Sequence, residues 1–173
     1  STRVGYVTID RFYTDYGGEN EACTFAQVDV SAGTTPYTSG FRKALKVTNG
    51  NQTGGAGAGD YTYIRYIVEA QDLATSGWDY TSASSYITLS FWVKCSVAGL
   101  QYGFIQCTDG TDQAYSFSLG NLSANTWTKV TAQIPGNSNL TIDNDNGAGM
   151  YIHWGPHWGT DYTDSGNTLN TWA

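Results

Sequence analysis

Charged residues are scarce in this 173-residue chain, where Asp, Glu, Lys and Arg make up 13%, against roughly a quarter in an average domain. Basic residues are fewer than acidic ones: the chain has eight Lys and Arg but fifteen Asp and Glu, which gives a net charge of −7. A nucleic-acid-binding surface needs a basic face, so we expect no nucleic-acid partner. Helices usually carry many charges on their wet faces, so this scarcity also argues against an all-α fold.

Long apolar runs are also missing, and none approaches the roughly 20 residues needed to cross a bilayer. We therefore expect no membrane insertion. The first six residues lack the apolar stretch of a signal peptide, and the chain does not begin with Met. Its length suits one domain. We expect residues 1–173 to form a single domain that is a fragment of a longer chain.

The chain has only three cysteines, Cys23, Cys95 and Cys107. Because the number is odd, they cannot all pair in disulfide bonds within one chain. We expect three free thiols that behave as small hydrophobic residues, with a Cys95–Cys107 bridge as the alternative. No cysteine or histidine spacing resembles a zinc site. Free thiols suit a reducing cytoplasm, including a virus particle assembled there.

What the chain does contain favours β-structure, with 21 Gly, 13 Tyr and 6 Trp and abundant Ser and Thr. Apolar and polar residues alternate in seven segments, which predicts strands that bury one face. These are residues 44–48, 61–69, 86–97, 101–107, 114–119, 127–134 and 149–154. Pro-Gly and Gly-Pro are expected to end the last two. The only helix expected is one turn at 71–74. The pattern predicts an all-β, antiparallel two-sheet β-sandwich.

Aromatic side chains on the predicted water-facing sides of these strands are the strongest site candidates. Sugars present C–H-rich faces and hydroxyl rims, so a binder needs flat rings beside hydrogen-bonding groups. The alternative is that these rings pack under loops or against another subunit. The candidate ligand-binding residues are Trp92, Tyr63, Arg65, Tyr151, His153 and Trp158, the last in a loop after Gly155-Pro156.

Acidic residues suggest one metal candidate. Asp143 and Asp145 have the alternating oxygen ligands that open a calcium loop, although Trp154 occupies the position of the closing Glu. The alternative is an Asx-rich turn. Asp10, Asp109 and Asp112 are further oxygen donors. Structural Ca²⁺ is therefore the only cofactor considered.

Catalytic motifs are absent from the sequence. There is no Gly-x-Ser-x-Gly elbow, and most Asp residues stand in polar turns, where water keeps them ordinary acids. The glycine-rich stretch at 54–59 lacks the Gly-Lys-Ser/Thr of a phosphate loop and is expected to be a flexible surface connection. We expect no enzyme activity.

Several segments together give a family resemblance over nearly the whole chain. They are residues 8–12 (TIDRF), 44–48 (ALKVT), 64–73 (IRYIVEAQDL), 87–94 (ITLSFWVK), 126–129 (TWTK), 143–147 (DNDNG) and 171–172 (TW). In this order they resemble the jelly-roll, carbohydrate-binding-module-like domains of tailed-phage virion proteins, especially tail fibres and other structural proteins.

The resemblance implies a jelly-roll fold and a non-catalytic domain on the virion surface that binds host-cell glycan. It also implies other virion subunits as partners. Such domains generally have a further strand at each end, so either this chain is a fragment or neighbouring chains supply those strands, as in a homotrimeric fibre. Two alternatives stay open: a purely structural capsid, tail or fibre domain, and an accessory module of a secreted glycan-degrading enzyme.

Overall fold

The chain folds mainly into β-strands. The computed structural model describes residues 4–6, 11–163 and 167–173. Strands hold 46% of the residues and helices 7%, which confirms the all-β prediction. The first part of the opening motif, residues 8–10 with Asp10, lies outside the described residues.

Nine strands and three short helical elements follow one another in the described part of the chain. The strands are β1 (Phe12–Gly17), β2 (Thr24–Asp29), β3 (Lys43–Thr48), β4 (Tyr61–Glu69), β5 (Tyr86–Val93), β6 (Gly99–Cys107), β7 (Gln113–Leu122), β8 (Thr128–Pro135) and β9 (Ala148–Trp158). The helical elements are α1 (Thr35–Thr38), α2 (Ala70–Ala74) and a 3₁₀ turn at Thr160–Tyr162. None of the helices described is long and apolar enough to cross a membrane.

The strands pair into one antiparallel five-stranded sheet and two smaller sheets. The large sheet has the order β1-β4-β9-β6-β7, and the small sheets are β2-β3 and β5-β8. In the first pair of the large sheet, Tyr63 lies opposite Asp15 and Tyr61 opposite Gly17. These two pairings position the candidate site described below.

Two compact units divide the chain. The first comprises Ser1–Tyr66 with Trp154–Ser165, and the second comprises Ile67–His153 with Gly166–Ala173. Strands β4 and β9 each contribute residues to both units. The expectation of a single domain over residues 1–173 stays a prediction.

The predicted strand at 61–69 is confirmed at both ends, but the last predicted strand is wrong at its C-terminal end. Strand β9 continues through Gly155 and Pro156 to Trp158, so Trp158 ends a strand instead of standing in a loop. Proline fixes φ at a value that an extended chain tolerates and removes only one N–H donor. Strand β5 is shorter than expected, since it ends at Val93.

The second unit encloses an apolar interior. Ile105, Phe117, Ile134 and Met150 are essentially fully buried, and Phe91 of β5 meets Phe117 of β7 edge-on, with ring centroids 6.5 Å apart. These residues belong to alternating runs, so one face of each strand supplies the interior. The apolar rows identified in the sequence therefore contribute to this core.

All three cysteines are free thiols, as predicted, with Cys23 and Cys107 buried. Burial raises the pKa of Cys107 to about 12, with the charge of Asp109 as a smaller cause. Burial also raises the pKa of Cys23 to about 11, and the charge of Glu19 adds to it. Both thiols therefore stay protonated at neutral pH.

Candidate ligand-binding site

Four aromatic side chains of the first unit gather at the ends of β4 and β9. The rings of Tyr63 and Trp158 lie 5.4 Å apart at an interplanar angle of 11°, and Tyr61 is within 22° of parallel to both. Tyr162 meets Tyr61 edge-on at 5.2 Å. We call Tyr61, Tyr63, Trp158 and Tyr162 the aromatic cluster. The first three are half-buried, and Tyr162 is 50% exposed.

Two glycines make room for these rings. A β-carbon on Gly17 would lie 2.7 Å from the Tyr61 ring, and one on Gly155 would lie 1.6 Å from the indole nitrogen of Trp158. Real side-chain carbons do not approach so closely, so each ring occupies space that any other residue would fill. Gly155 therefore contributes to the position of Trp158.

Polar groups beside the cluster fix the orientation of Tyr63. Its hydroxyl donates to Asp15 Oδ2 at 3.1 Å, across the register that pairs β1 with β4. The Arg65 guanidinium lies 4.3 Å from the centroid of the Tyr13 ring and 6.0 Å from that of Tyr63. An aromatic surface next to a cation and a carboxylate can contact both the apolar face and the hydroxyls of a sugar.

The phenols of the cluster are weak acids. Burial raises the pKa of Tyr63 well above its usual range, and the neighbouring Asp15 charge raises it further. Burial raises the pKa of Tyr61 as well, again with Asp15 as the next cause. Both hydroxyls therefore stay protonated and can donate hydrogen bonds at every physiological pH.

The structure brings three of the six predicted ligand-binding residues together: Tyr63, Arg65 and Trp158. The other three, Trp92, Tyr151 and His153, belong to the second unit. Trp92 is half-buried on β5, on the opposite phase from the apolar row of that strand. Whether any of the six residues binds a ligand stays a prediction.

His153 differs from the water-facing side chain expected from alternation. It is only 4% exposed, and its ring stacks on Phe104 with centroids 4.3 Å apart at 7°. Tyr151 is half-buried, with its ring 6.1 Å from that of His153. Both faces of this part of β9 are covered, because Met150 and Ile152 are buried as well. Simple two-sided alternation does not describe such a strand.

The predicted calcium residues form a turn. Asp145 Oδ1 accepts a hydrogen bond from the Gly147 amide at 2.8 Å, and the Asp143 amide donates to Asp109 Oδ2 at 3.0 Å. Across the described ranges, no group of three or more Asp, Glu, His or Cys side chains is placed to share a metal ion. These residues do not fit a calcium site built from acidic side chains, and calcium binding stays a prediction.

A polar cleft of about 240 Å³ is a second feature of the first unit. We call it the polar cleft, and its lining residues are Glu19, Asn49, Gly50, Asn51, Gln52, Ala56, Asp60 and His157. Thr62 donates its hydroxyl to Oε1 of Glu19. Asp60 is 7% exposed, and its Oδ2 accepts from the Gly57 amide at 2.7 Å.

Sequence reasoning missed the polar cleft. Its acidic residues and its histidine come from three separate segments, and none of them forms a motif. The glycine-rich stretch, expected to be a flexible connection, supplies part of the lining, and hydrogen bonds join it to its surroundings. The Gly54 amide donates to Asn20 Oδ1 at 3.2 Å, and the backbone amide of Asp161 donates to the Ala58 carbonyl at 3.0 Å. The one sequence feature that points toward the cleft is an acidic residue, Asp60, directly after the glycine-rich stretch.

Comparison with known proteins does not assign the chain to a family. No protein-family model matches it, and no curated protein or solved structure is significantly similar to it.

Proposed function

We propose that this chain is a non-catalytic β-sandwich module of the jelly-roll type that binds glycan on the surface of a host cell. Its proposed location is the outside of a phage virion, in a tail or capsid protein. The family resemblance supports this location, and the aromatic cluster supports the ligand class. The proposal includes no catalytic step and no metal.

Contacts within the second unit support the sandwich. Phe91 of the β5-β8 sheet packs on Phe117 of the five-stranded sheet. Trp172, which forms a bridge with Tyr115 of β7, donates its indole N–H to the carbonyl of Pro135 in β8 at 2.8 Å. Side chains that join two sheets in this way are typical of face-to-face packing.

The observation that carries the glycan proposal is the near-parallel arrangement of Tyr61, Tyr63 and Trp158 beside Arg65. Parallel rings that keep part of their surface in water offer apolar area at little entropic cost, since the contacts that hold them are already made. We expect a single site to bind with millimolar to micromolar affinity, about −4 to −8 kcal/mol. Many copies on a virion would offset this weakness.

The test is binding of the purified chain to an array of bacterial surface polysaccharides. We expect Trp158→Ala and Tyr63→Ala to reduce binding at least tenfold, because each removes one ring of the cluster. Tyr86→Ala, which removes an exposed ring of the second unit, is the matched control and should leave binding unchanged. Circular dichroism would check that each variant is folded. Binding that survives both cluster variants would contradict the proposal.

A structural role is the second candidate, and one observation favours it. Val97 precedes β6, Leu100 and Tyr102 lie in its first half, and all three side chains are exposed, Leu100 by 59%. Exposed apolar side chains grouped along a strand are typical of subunit contacts. Light scattering would detect a homotrimer, and Leu100→Ser should return it to a monomer if this surface joins subunits.

A role as accessory module of a secreted glycan-degrading enzyme would be supported by a catalytic domain in the same polypeptide.

A further inference from the structure

Six strands of the described structure lie at the edge of a sheet. They are β1 and β7 of the five-stranded sheet, β2 and β3 of one small sheet, and β5 and β8 of the other. An edge strand presents backbone N–H and C=O groups with which another extended chain can pair. Natural proteins protect such edges with charged residues, with proline or with a covering segment.

Five of the six edges carry protection of this kind. Gly5 exchanges two backbone hydrogen bonds with Thr14 of β1, at 2.8 and 3.1 Å, and Ala173 exchanges two with Ala114 of β7, at 2.8 and 2.9 Å. Charged residues or a proline protect the edges of β2, β3 and β8. These residues are Asp29 in β2, Lys43 and Lys46 in β3, and Lys129 and Pro135 in β8.

Strand β5 is the exception. Its sequence, YITLSFWV, contains no charged residue and no proline, and within the described ranges its only paired neighbour is β8. Its apolar row is also less buried than that of β8. Ile87 and Leu89 are half-buried, whereas Val130 and Ile134 of β8 are 5% and 0% exposed. The open side of this small sheet is therefore the side of β5 that faces away from β8.

The register between β5 and β8 shows which backbone groups point to the open side. The Gly136 amide donates to the Ser85 carbonyl at 2.9 Å, in line with the pairing of Ile87 with Ile134. Hydrogen-bonded and non-hydrogen-bonded pairs alternate in an antiparallel ladder, so the odd-numbered residues of β5 bond to β8. The even-numbered residues direct their N–H and C=O groups to the open side. They include Thr88, Ser90 and Trp92.

A second copy of β5 is complementary to this open edge. If two copies pair in antiparallel fashion about a two-fold axis perpendicular to the sheet, the open N–H groups of each strand meet C=O groups of the other. Such an axis keeps each face on its own side, so Ile87 and Leu89 lie beside the apolar row of the other copy. Thr88 and Ser90 lie beside its polar row. Like charges, which destabilise a strand pair, are absent from both strands.

We propose that two copies of this chain associate through β5, which joins their small sheets into one sheet of order β8-β5-β5-β8. Pairing stops at two copies, because both edges of the joined sheet are then β8, with Lys129 and Pro135. The uncharged, self-complementary edge favours a second copy over a strand of another protein. The inference does not depend on glycan binding, since β5 belongs to the second unit and the aromatic cluster to the first.

The first experiment measures amide hydrogen exchange of the purified chain at low and high concentration, with sedimentation equilibrium to determine its mass. We expect a monomer–dimer equilibrium in which the amides of Thr88, Ser90 and Trp92 exchange more slowly as the dimer fraction rises. The amides of Leu89 and Phe91 bond to β8 and should be protected at every concentration. A chain that stays monomeric, forms larger particles, or dimerises without protection of these three amides would overturn the proposal.

A charge placed on the edge tests the assignment to β5. Ser90→Lys should raise the dissociation constant of the dimer by about tenfold or more, because two lysines then face each other near the two-fold axis. Thr131→Lys is the matched control: Thr131 lies opposite Ser90 on β8 and is also exposed, so it adds the same charge one strand away from the edge. It should leave the dimer unchanged. An unchanged dissociation constant in Ser90→Lys, with circular dichroism showing it folded, would overturn the proposal.

Two further measurements separate this interface from the other proposals. Leu100→Ser alters the exposed apolar residues of β6 and should leave the dimer unchanged. Loss of the dimer in Leu100→Ser together with its survival in Ser90→Lys would overturn the assignment to β5. Ser90→Lys should keep its affinity for a soluble oligosaccharide, so failure of the glycan proposal and failure of the dimer are distinguishable.

Discussion

The interiors of the two compact units contrast sharply. Apart from proline, eighteen hydrophobic residues are buried in the described part of the chain. Fifteen belong to the second unit, whereas the first has Cys23, Phe25 and Val30, together with the buried Pro36. In the first unit, Thr14 and Thr62 are fully buried as well. The four rings of its aromatic cluster are all at least partly exposed. The unit with the candidate sites is therefore the one with the smaller apolar core.

Hydrogen bonds replace part of the missing apolar contact in the first unit. Thr14 donates to the Gly5 carbonyl at 3.2 Å, and Thr62 donates to Glu19. Each such bond stabilises the fold by only about 1 kcal/mol net, comparable to burying one methylene group. We therefore expect the first unit to open more readily than the second.

The strongest test of this contrast removes a ring from the core of the second unit. Phe117→Ala should lower the free energy of unfolding by about 3–5 kcal/mol, because it deletes a fully buried ring. Tyr162→Ala, at an exposed position of the first unit, should change it by no more than about 0.5 kcal/mol. Urea denaturation measures both. Similar losses of unfolding free energy in the two variants would contradict the expected difference between the two units.

A smaller effect is expected when a methyl group is added under the aromatic cluster. Gly155→Ala should cost about 1–3 kcal/mol and displace Trp158, with a change in indole fluorescence and loss of polysaccharide binding. Gly54→Ala is the matched control, since its β-carbon would meet only Asn20 Oδ1 at 3.5 Å. Normal binding by Gly155→Ala would show that the position of Trp158 is not required.

The smallest effect concerns the two buried thiols, one in each unit. At pH 8 we expect iodoacetamide to label half-buried Cys95 first, then Cys23, and Cys107 last, as read by mass spectrometry. Cys23 should precede Cys107 because the first unit opens more readily. Faster labelling of Cys107 would reverse the comparison.

These thiols also predict a loss of stability in alkali. Their pKa values rise from 9.0 to about 11 for Cys23 and about 12 for Cys107 on folding, so the folded chain keeps protons that the unfolded chain releases. The stability of the folded chain is unaffected by these thiols below pH 9. It falls as the pH rises from 9 toward the folded-state pKa values of about 11 and about 12. Urea midpoints measured from pH 8 to pH 11 would show the decline.

Regular alternation explains which strands could be predicted. Strand β4 was found at its true bounds because its apolar and polar residues alternate and turns flank it. Strands β1 and β2 had no such signal, since Phe12–Gly17 and Thr24–Asp29 mix aromatic, acidic and small residues. Their pairing depends on partners distant in sequence, which a local pattern does not contain.

The candidate sites were predictable only in part. Tyr63 and Arg65 are candidates because they lie opposite the apolar row of their strand, and Trp158 is a candidate as a ring expected in a loop after Gly155-Pro156. Their grouping depends on the pairing of β4 with β9, and the sequence pattern gave no strand order. Glu19 was missed for the same reason: it meets Thr62 only through the folding of residues 43 positions apart.

Gly17 and Gly155 affect how loss-of-function variants of this molecule would be recognised. Two rings of the aromatic cluster occupy the space that a β-carbon at Gly17 or Gly155 would fill. A glycine-to-alanine substitution, which only replaces a hydrogen by a methyl group, can therefore disrupt this surface although every aromatic and charged residue is unchanged. A survey that compares only conspicuous side chains would score such a variant as intact.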